Sequence, residues 1–145
     1  MKKLLKIVPL FIVTLAFVAV ITPKAEAATT SWYSVSGHGS GCQVQGYTDS
    51  TVYKKAATSI DSYMKTNGKC NTMNYEMTVV DSEDTGYGAA GYANGSFSKQ
   101  TSTKKFSLSG IRRDVDVNSF KVRVRYTAGG KTFYSPSITV YKWSK

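Results

Sequence analysis

The sequence contains a single histidine and only two cysteines among its 145 residues. A hydrolase that uses a serine or cysteine nucleophile needs a histidine beside that nucleophile and a third group to orient it. His38 lies in a Gly-rich stretch, Gly37 to Gly41, close to Cys42, and no Asp or Asn stands nearby. Ser40 also lacks the glycines two positions before and after it that a nucleophile elbow requires. The sequence therefore predicts a protein that is not an enzyme, with no cofactor and no metal site.

Long hydrophobic runs are absent beyond the first 21 residues. The one such run, Ile7 to Ile21, is preceded by three lysines and is shorter than the roughly 20 residues of a membrane span. It is followed by Ala25-Glu26-Ala27, which has the small-x-small pattern of a cleavage site. These features predict a secretory signal peptide over residues 1–27, a mature chain that begins at Ala28, and a secreted, extracellular product without a transmembrane segment. The lysine-rich start is typical of bacterial secretion.

Acidic residues are scarce, with nine Asp and Glu against 19 Lys and Arg. Removal of residues 1–27 takes away four lysines and one glutamate, which leaves a mature chain with a net charge of +7. At physiological ionic strength, such a charge attracts polyanions within about 8 Å of the surface. Outside a bacterium, these include wall teichoic acids, anionic lipid headgroups and released nucleic acid. The charge alone is equally consistent with a role in solubility.

The two cysteines, Cys42 and Cys70, are expected to form one disulfide, because an even number of cysteines in a secreted chain usually pairs. Closing a loop of 29 residues would stabilise the fold by about 3.5 kcal/mol in the chain-entropy model. Two short strands are predicted on the N-terminal side of this loop, around Trp32 to Val35 and Cys42 to Tyr47.

The clearest strand signal runs from Ser119 to Tyr126, where apolar and basic side chains alternate. Gly129-Gly130 predicts a tight hairpin turn that leads into a second strand, Lys131 to Trp143. A third strand is predicted upstream, from Lys104 to Ile111. On the first of these strands the apolar side is formed by Phe120, Val122, Val124 and Tyr126, and the basic side by Lys121, Arg123 and Arg125.

The segment from Thr51 to Lys69 is ambiguous. Its apolar residues recur at helical spacing, and Asn67-Gly68 would end a helix well. The same dipeptide is also a strong hairpin signal, and Met73 to Val80 beyond it alternates like a strand. We favour a strand over residues 57–66, because Met73 to Val80 needs a neighbouring strand.

Residues 81–96 are predicted to form a flexible loop. The loop begins with the acidic tetrapeptide Asp81-Ser82-Glu83-Asp84 and continues with several glycines around Tyr87 and Tyr92. Three carboxylates could bind calcium, but a solvated turn is favoured because the number of ligands is low. The two tyrosines define a secondary binding loop, since tyrosine gives contact area at a low entropic cost.

Three segments resemble the last three strands of a fibronectin type III domain or a related immunoglobulin-like sandwich. They are residues 106–111, 120–126 and 134–140, with the Gly-Gly hairpin between the last two. The resemblance covers about 40 residues. It implies an all-β fold, a small antiparallel β-sandwich that occupies residues 28–145 as a single domain. It also implies a scaffold for binding and adhesion more than for catalysis.

Pairing outward from the glycine turn places Tyr126 opposite Phe133. One extra residue at Pro136, which would also mark an edge strand, then returns Ile138 and Val140 to the core. With this bulge, one solvent face of the sheet carries both cations and aromatic rings. The predicted binding residues on that face are Lys121, Arg123, Arg125, Tyr141 and Trp143.

Interleaved cations and aromatic rings can bind anionic groups through charge while they stack on sugars or bases. The sequence thus predicts a non-enzymatic binding protein that captures an anionic cell-wall polymer, or another polyanion, at or near the bacterial cell envelope. Two alternatives remain open. The basic strand could be a solvated face whose charges discourage edge pairing. The protein could instead be a secreted antagonist, an antibacterial toxin or an inhibitor of an extracellular enzyme, that contacts a protein target through the Tyr87 to Tyr92 loop.

Overall fold

Eleven β-strands, one short α-helix and one 3₁₀ turn form the part of the chain that the computed structural model describes, residues 26–113 and 115–142. The predicted signal peptide lies outside these residues apart from its last two positions, and Trp143 lies outside them as well. In chain order the elements are β1 (Ala28–Thr29), β2 (Tyr33–Ser34), β3 (Gln43–Thr48), β4 (Val52–Tyr53), β5 (Ser59–Thr66), β6 (Met73–Val80), the 3₁₀ turn (Gly88–Ala90), β7 (Tyr92–Phe97), β8 (Lys104–Ser107), α1 (Leu108–Arg113), β9 (Ser119–Ala128), β10 (Lys131–Tyr134) and β11 (Ile138–Tyr141).

The strands form two sheets. The first sheet has the order β1-β3-β5-β8, and β2 pairs with the other end of β3. The second sheet has the order β4-β11-β9-β6-β7, and β10 also pairs with β9. All pairs of these strands are antiparallel except β4 and β11, which run parallel. The predicted all-β sandwich is therefore confirmed. Within the described residues, no helix is both long and apolar enough to cross a membrane.

The core lies between the two sheets, where alternate side chains of β3, β5, β6 and β9 are buried. Tyr126 of β9 is fully buried and links the sheets, because its hydroxyl lies 2.9 Å from the Ser62 hydroxyl and 3.1 Å from the Tyr47 carbonyl oxygen. Its ring packs on Gly46 of β3, where a Cβ atom would come within 2.5 Å of the ring. Only glycine fits at this position without displacing the ring.

The Cys42–Cys70 disulfide is present, as predicted. It joins the start of β3 in the first sheet to the segment that leads into β6 in the second sheet. The loop containing His38 packs against this second segment, since the Asn71 N–H donates to the His38 carbonyl oxygen at 2.7 Å.

The ambiguous segment contains a strand, β5, which confirms the favoured alternative. The reason given for it was wrong, because β5 is not a neighbour of β6. Instead, β5 pairs with β3 and β8 in the first sheet, whereas β6 pairs with β7 and β9 in the second. Strand alternation identified both elements but carried no information on which sheet each one joins.

The predicted strand from Lys104 to Ile111 ends at Ser107, and the chain continues as the helix α1. Leu108 and Ile111 are three positions apart on one side of this helix, and both are fully buried. A continuous strand and a strand that leads into a helical turn both bury Phe106 and Leu108. The sequence pattern therefore does not show that the strand ends at Ser107.

The predicted strand from Lys131 to Trp143 is split into β10 and β11. Phe133 lies opposite Tyr126, and Ile138 lies opposite Val122, so five positions on one side match four on the other. The extra residue buries Ile138 and Val140, as predicted. The expectation of an edge strand was wrong, because β4 pairs with the outer side of β11.

The segment 81–96 is not a loop over its whole length. Its last residues belong to β7, which pairs with β6 from Met73 opposite Phe97 to Thr78 opposite Tyr92. The loop proper therefore ends at Gly91. This strand is difficult to predict because it consists mainly of glycine and small residues, whereas β-branched and aromatic residues are the ones typical of strands.

Candidate functional site

The basic residues of β9 lie on the outer face of the second sheet. Lys121 is exposed, and Arg123 and Arg125 are half-buried, while the intervening Val122 and Val124 are fully buried in the core. Because successive side chains of a strand point to opposite faces, the three cations form one row. The structure thus brings together the three predicted basic residues.

A tyrosine that the sequence analysis did not select completes this row. Tyr134 of β10 lies opposite Arg125, and its ring centroid is 4.7 Å from the guanidinium carbon of Arg123. A cation at this distance is attracted by the face of the ring. The signal for Tyr134 was available, because the pairing of Tyr126 with Phe133 also places the next residue opposite Arg125.

Tyr141 of β11 lies on the same outer face. Thr139 pairs with Lys121, and Tyr141, two residues further along, pairs with Ser119 and is 38% exposed. The end of this strand is fixed by Arg112 of α1, whose Nε atom donates to the Tyr141 carbonyl oxygen at 3.0 Å. Trp143 falls outside the described residues, so its predicted place on this face stays a prediction.

The two tyrosines of the predicted secondary loop are in different environments. Tyr92 is 55% exposed and lies opposite Thr78, which itself lies opposite Arg125, so Tyr92 is on the outer face with the cations. Tyr87 is half-buried at the edge of the core, and its ring lies 6.4 Å from the Phe120 ring. We define the basic-aromatic face as Lys121, Arg123, Arg125, Tyr92, Tyr134 and Tyr141.

The acidic tetrapeptide folds back onto this face. The Asp84 carboxylate lies 3.2 Å from Nη1 of Arg125, and the Ser82 carbonyl oxygen accepts a hydrogen bond from Arg123 at 3.3 Å. The Asp81 carboxylate accepts the backbone N–H groups of Glu83 and Thr85, both at 2.9 Å, and thereby closes the turn. An internal carboxylate therefore neutralises one of the three cations of the row.

The carboxylates of Asp81, Glu83 and Asp84 are the possible calcium ligands in the sequence. Asp81 closes the turn and Asp84 pairs with Arg125. Two of the three carboxylates therefore already have partners within the protein. Across residues 26–113 and 115–142, no group of three or more His, Cys, Asp or Glu is arranged to hold a metal ion.

The remaining surface of the basic row is open. A hollow of about 300 Å³ lies beside Lys121 and Arg123 and is bounded by Ser82 and Ser137. Arg125 keeps about a third of its side chain exposed despite its pairing with Asp84. An anionic chain could thus contact Lys121 and Arg123 directly and reach Arg125 by displacing Asp84.

Comparisons with known proteins identify the family. The family model of the YqgA MG2 macroglobulin domain matches residues 25–142. The cell wall-binding protein YqgA of Bacillus subtilis is 45% identical over 103 residues, which are 68% of this chain and 69% of the relative. No solved structure matches the chain. The macroglobulin domain has an immunoglobulin-like fold, which agrees with the sandwich predicted from the resemblance, although the family is not fibronectin type III. Because the family model covers most of the sequence, the chain belongs to the YqgA MG2 macroglobulin domain family.

Proposed function

We propose that this protein is secreted, has no catalytic activity and binds the cell wall by capturing an anionic wall polymer on the basic-aromatic face. The name of the Bacillus subtilis relative, a cell wall-binding protein, supports the wall as the location of the ligand. The positive charge of the mature chain supports an anionic ligand, because a positive surface attracts anions and repels cations.

The register of β9 is the observation that carries the proposal. Lys121, Arg123 and Arg125 share one face, and same-face residues of a strand are about 6.5 Å apart. A linear polyanion that runs along the strand meets a cation at each step. Tyr134 holds the Arg123 guanidinium in a stacked position, which reduces the side-chain entropy lost on binding.

Each contact between a cation and a phosphate releases a counterion from the polymer, so binding weakens as salt is added. Arginine can form two parallel hydrogen bonds to one phosphate, and this makes Arg123 and Arg125 the stronger ligands of the row. Asp84 competes for Arg125. The net free energy of binding is therefore the free energy gained by capturing the polymer minus the free energy lost when this internal pair breaks.

Retention of the mature, oxidised protein on purified bacterial cell walls tests the proposal. We expect retention on walls that carry teichoic acid, loss of retention when the teichoic acid is extracted, and a steady decrease as salt increases. The double variant R123S/R125S should lose most of the retention. The double variant K104S/K105S removes the same charge from β8 in the other sheet and serves as the matched control.

Equal losses in the two double variants would show that net charge, and not the basic-aromatic face, drives retention. No retention at any salt concentration would refute the binding of an anionic wall polymer. The antagonist alternative has less support, because Tyr87 packs against Phe120 while only Tyr92 of the pair is well exposed.

A further inference from the structure

A polar trough crosses the second sheet near the turn between β9 and β10. It consists of two adjoining hollows of about 300 and 440 Å³, which share Asn74, Tyr75 and Glu76 of β6. The first hollow also includes His38, Thr127, Gly129 and Gly130, and the second includes Asn94, Gly95 and Ser96.

The register of three strands explains the chemistry of this trough. Asn74 lies opposite Ser96, and Glu76 lies between Asn94 on β7 and Thr127 on β9. Their side chains point to solvent, since the alternate residues of β6 are buried in the core. The result is a surface of amides, hydroxyls, one carboxylate and the imidazole of His38, with no lysine or arginine among the residues that bound it.

Gly95 of β7 lies opposite Tyr75, on the side of the two strands that carries the buried Tyr75 ring. Its φ is +152°, and a Cβ atom there would lie 3.1 Å from the Cε1 atom and 3.3 Å from the hydroxyl oxygen of Tyr75. Any other residue would crowd the Tyr75 ring, which is buried on the core side of β6. Gly95 thus allows the Tyr75 ring to pack beneath the strands whose outer side carries Asn74, Glu76 and Asn94.

The trough adjoins the basic-aromatic face. Glu76 and Thr78 point to the same side of β6, about 6.5 Å apart, and Thr78 lies opposite Arg125. Tyr92 connects the two regions, because it lies opposite Thr78 and is on the same side of β7 as Asn94, two residues further along. A ligand bound along the basic row can therefore extend into the trough without a break in contact.

We propose that the polar trough binds uncharged, hydroxyl-rich sugar units of the cell wall. Amide and carboxylate groups offer paired donors and acceptors that match neighbouring sugar hydroxyls. The Glu76 carboxylate disfavours a phosphate at this position, and the polar lining offers little to an apolar peptide. The inference depends on the proposed function only in taking the cell wall as the source of the sugar.

Titration of the isotope-labelled protein with an uncharged N-acetylglucosamine tetramer, followed by NMR, tests this inference. We expect shifts of the Asn74 and Asn94 side-chain amide signals that saturate with a dissociation constant of about 1 mM and that do not depend on salt. The double variant N74A/N94A should weaken binding at least about fivefold. Both side chains are exposed, so the variant should fold normally.

A second probe, inorganic polyphosphate, separates this inference from the proposed function. N74A/N94A should bind polyphosphate like the wild type. In contrast, R123S/R125S should lose polyphosphate binding and retain sugar binding. The variant E76Q should keep the sugar and bind polyphosphate more tightly, because a nearby negative charge is removed. Absence of shifts in the trough up to about 10 mM sugar would overturn the inference and leave the basic face untouched. Sugar binding without polyphosphate binding would support the trough and refute the anionic ligand.

Discussion

The Asp84 carboxylate lies 3.2 Å from the guanidinium group of Arg125, although the two residues are 41 positions apart in the sequence. Both side chains are partly exposed, 41% for Asp84 and 33% for Arg125. An ion pair of this kind contributes at most about 1 kcal/mol to stability, since solvent screens it. It can therefore be displaced by a polymer that offers several anionic groups at once.

Replacement of Asp84 by Asn should increase the affinity for an anionic wall polymer by up to about fivefold, because it frees Arg125 from a pair worth at most about 1 kcal/mol. Asn tolerates the positive φ of 65° at this position and should preserve the turn. The control is E83Q, which removes the same charge from the preceding residue while the pair of Asp84 with Arg125 stays in place. Binding of teichoic acid, measured by calorimetry, should rise more in D84N than in E83Q, and equal affinities would show that Asp84 does not compete.

Replacement of Tyr134 by Leu should weaken polymer binding about two- to fivefold, because the Arg123 guanidinium loses the ring on which it stacks. The total charge is unchanged, so the salt dependence of binding should keep its slope. Calorimetric titrations with teichoic acid at several salt concentrations measure both quantities. A change in the slope with no change in affinity at low salt would contradict the positioning role of Tyr134.

Replacement of Gly46 by Ala should destabilise the fold by about 1–3 kcal/mol, because the new methyl group would lie 2.5 Å from the buried Tyr126 ring. Urea unfolding followed by circular dichroism gives the free energy of unfolding. Gly86 is the matched control, since no atom lies within 4 Å of a Cβ atom added there. Equal stabilities of the two alanine variants would show that the ring moves aside at no cost.

Alkaline pH should destabilise the protein through its buried tyrosines. Burial raises the pKa of Tyr126 above the ordinary value of about 10, and burial together with the hydrogen bond to Asp49 does the same for Tyr53. Above pH 10 these tyrosines ionise in the unfolded chain but remain neutral in the folded one, so the unfolded chain binds fewer protons and stability falls as pH rises. Below that value their contribution is constant.

Urea unfolding between about pH 9 and 11 measures this effect, which should approach about 1.4 kcal/mol per pH unit for each tyrosine. The variant Y126F should start from a lower stability, because it loses the hydroxyl bonded to Ser62, yet it should decline less steeply. A decline as steep as that of the wild type would contradict the assignment to Tyr126.

Several features could be predicted from the sequence because they depend on local patterns. The alternation from Ser119 to Tyr126 is sufficient to predict a strand with Lys121, Arg123 and Arg125 on one side. The even number of cysteines in a chain that is predicted to be exported is sufficient to predict the disulfide. The extra residue at Pro136 followed from the need to bury Ile138 and Val140.

The neighbours of the basic row were decided only by the tertiary structure. Asp84 reaches Arg125 because β6 pairs with β9, a strand far away in the sequence, and Tyr92 joins the same face through the pairing of β6 with β7. A shift of one residue in either pairing would turn every side chain to the opposite face, and local patterns do not fix such long-range registers. The sequence by itself thus determined the row of cations. Packing of the sandwich determined which tyrosines, which carboxylate and which polar trough lie beside it.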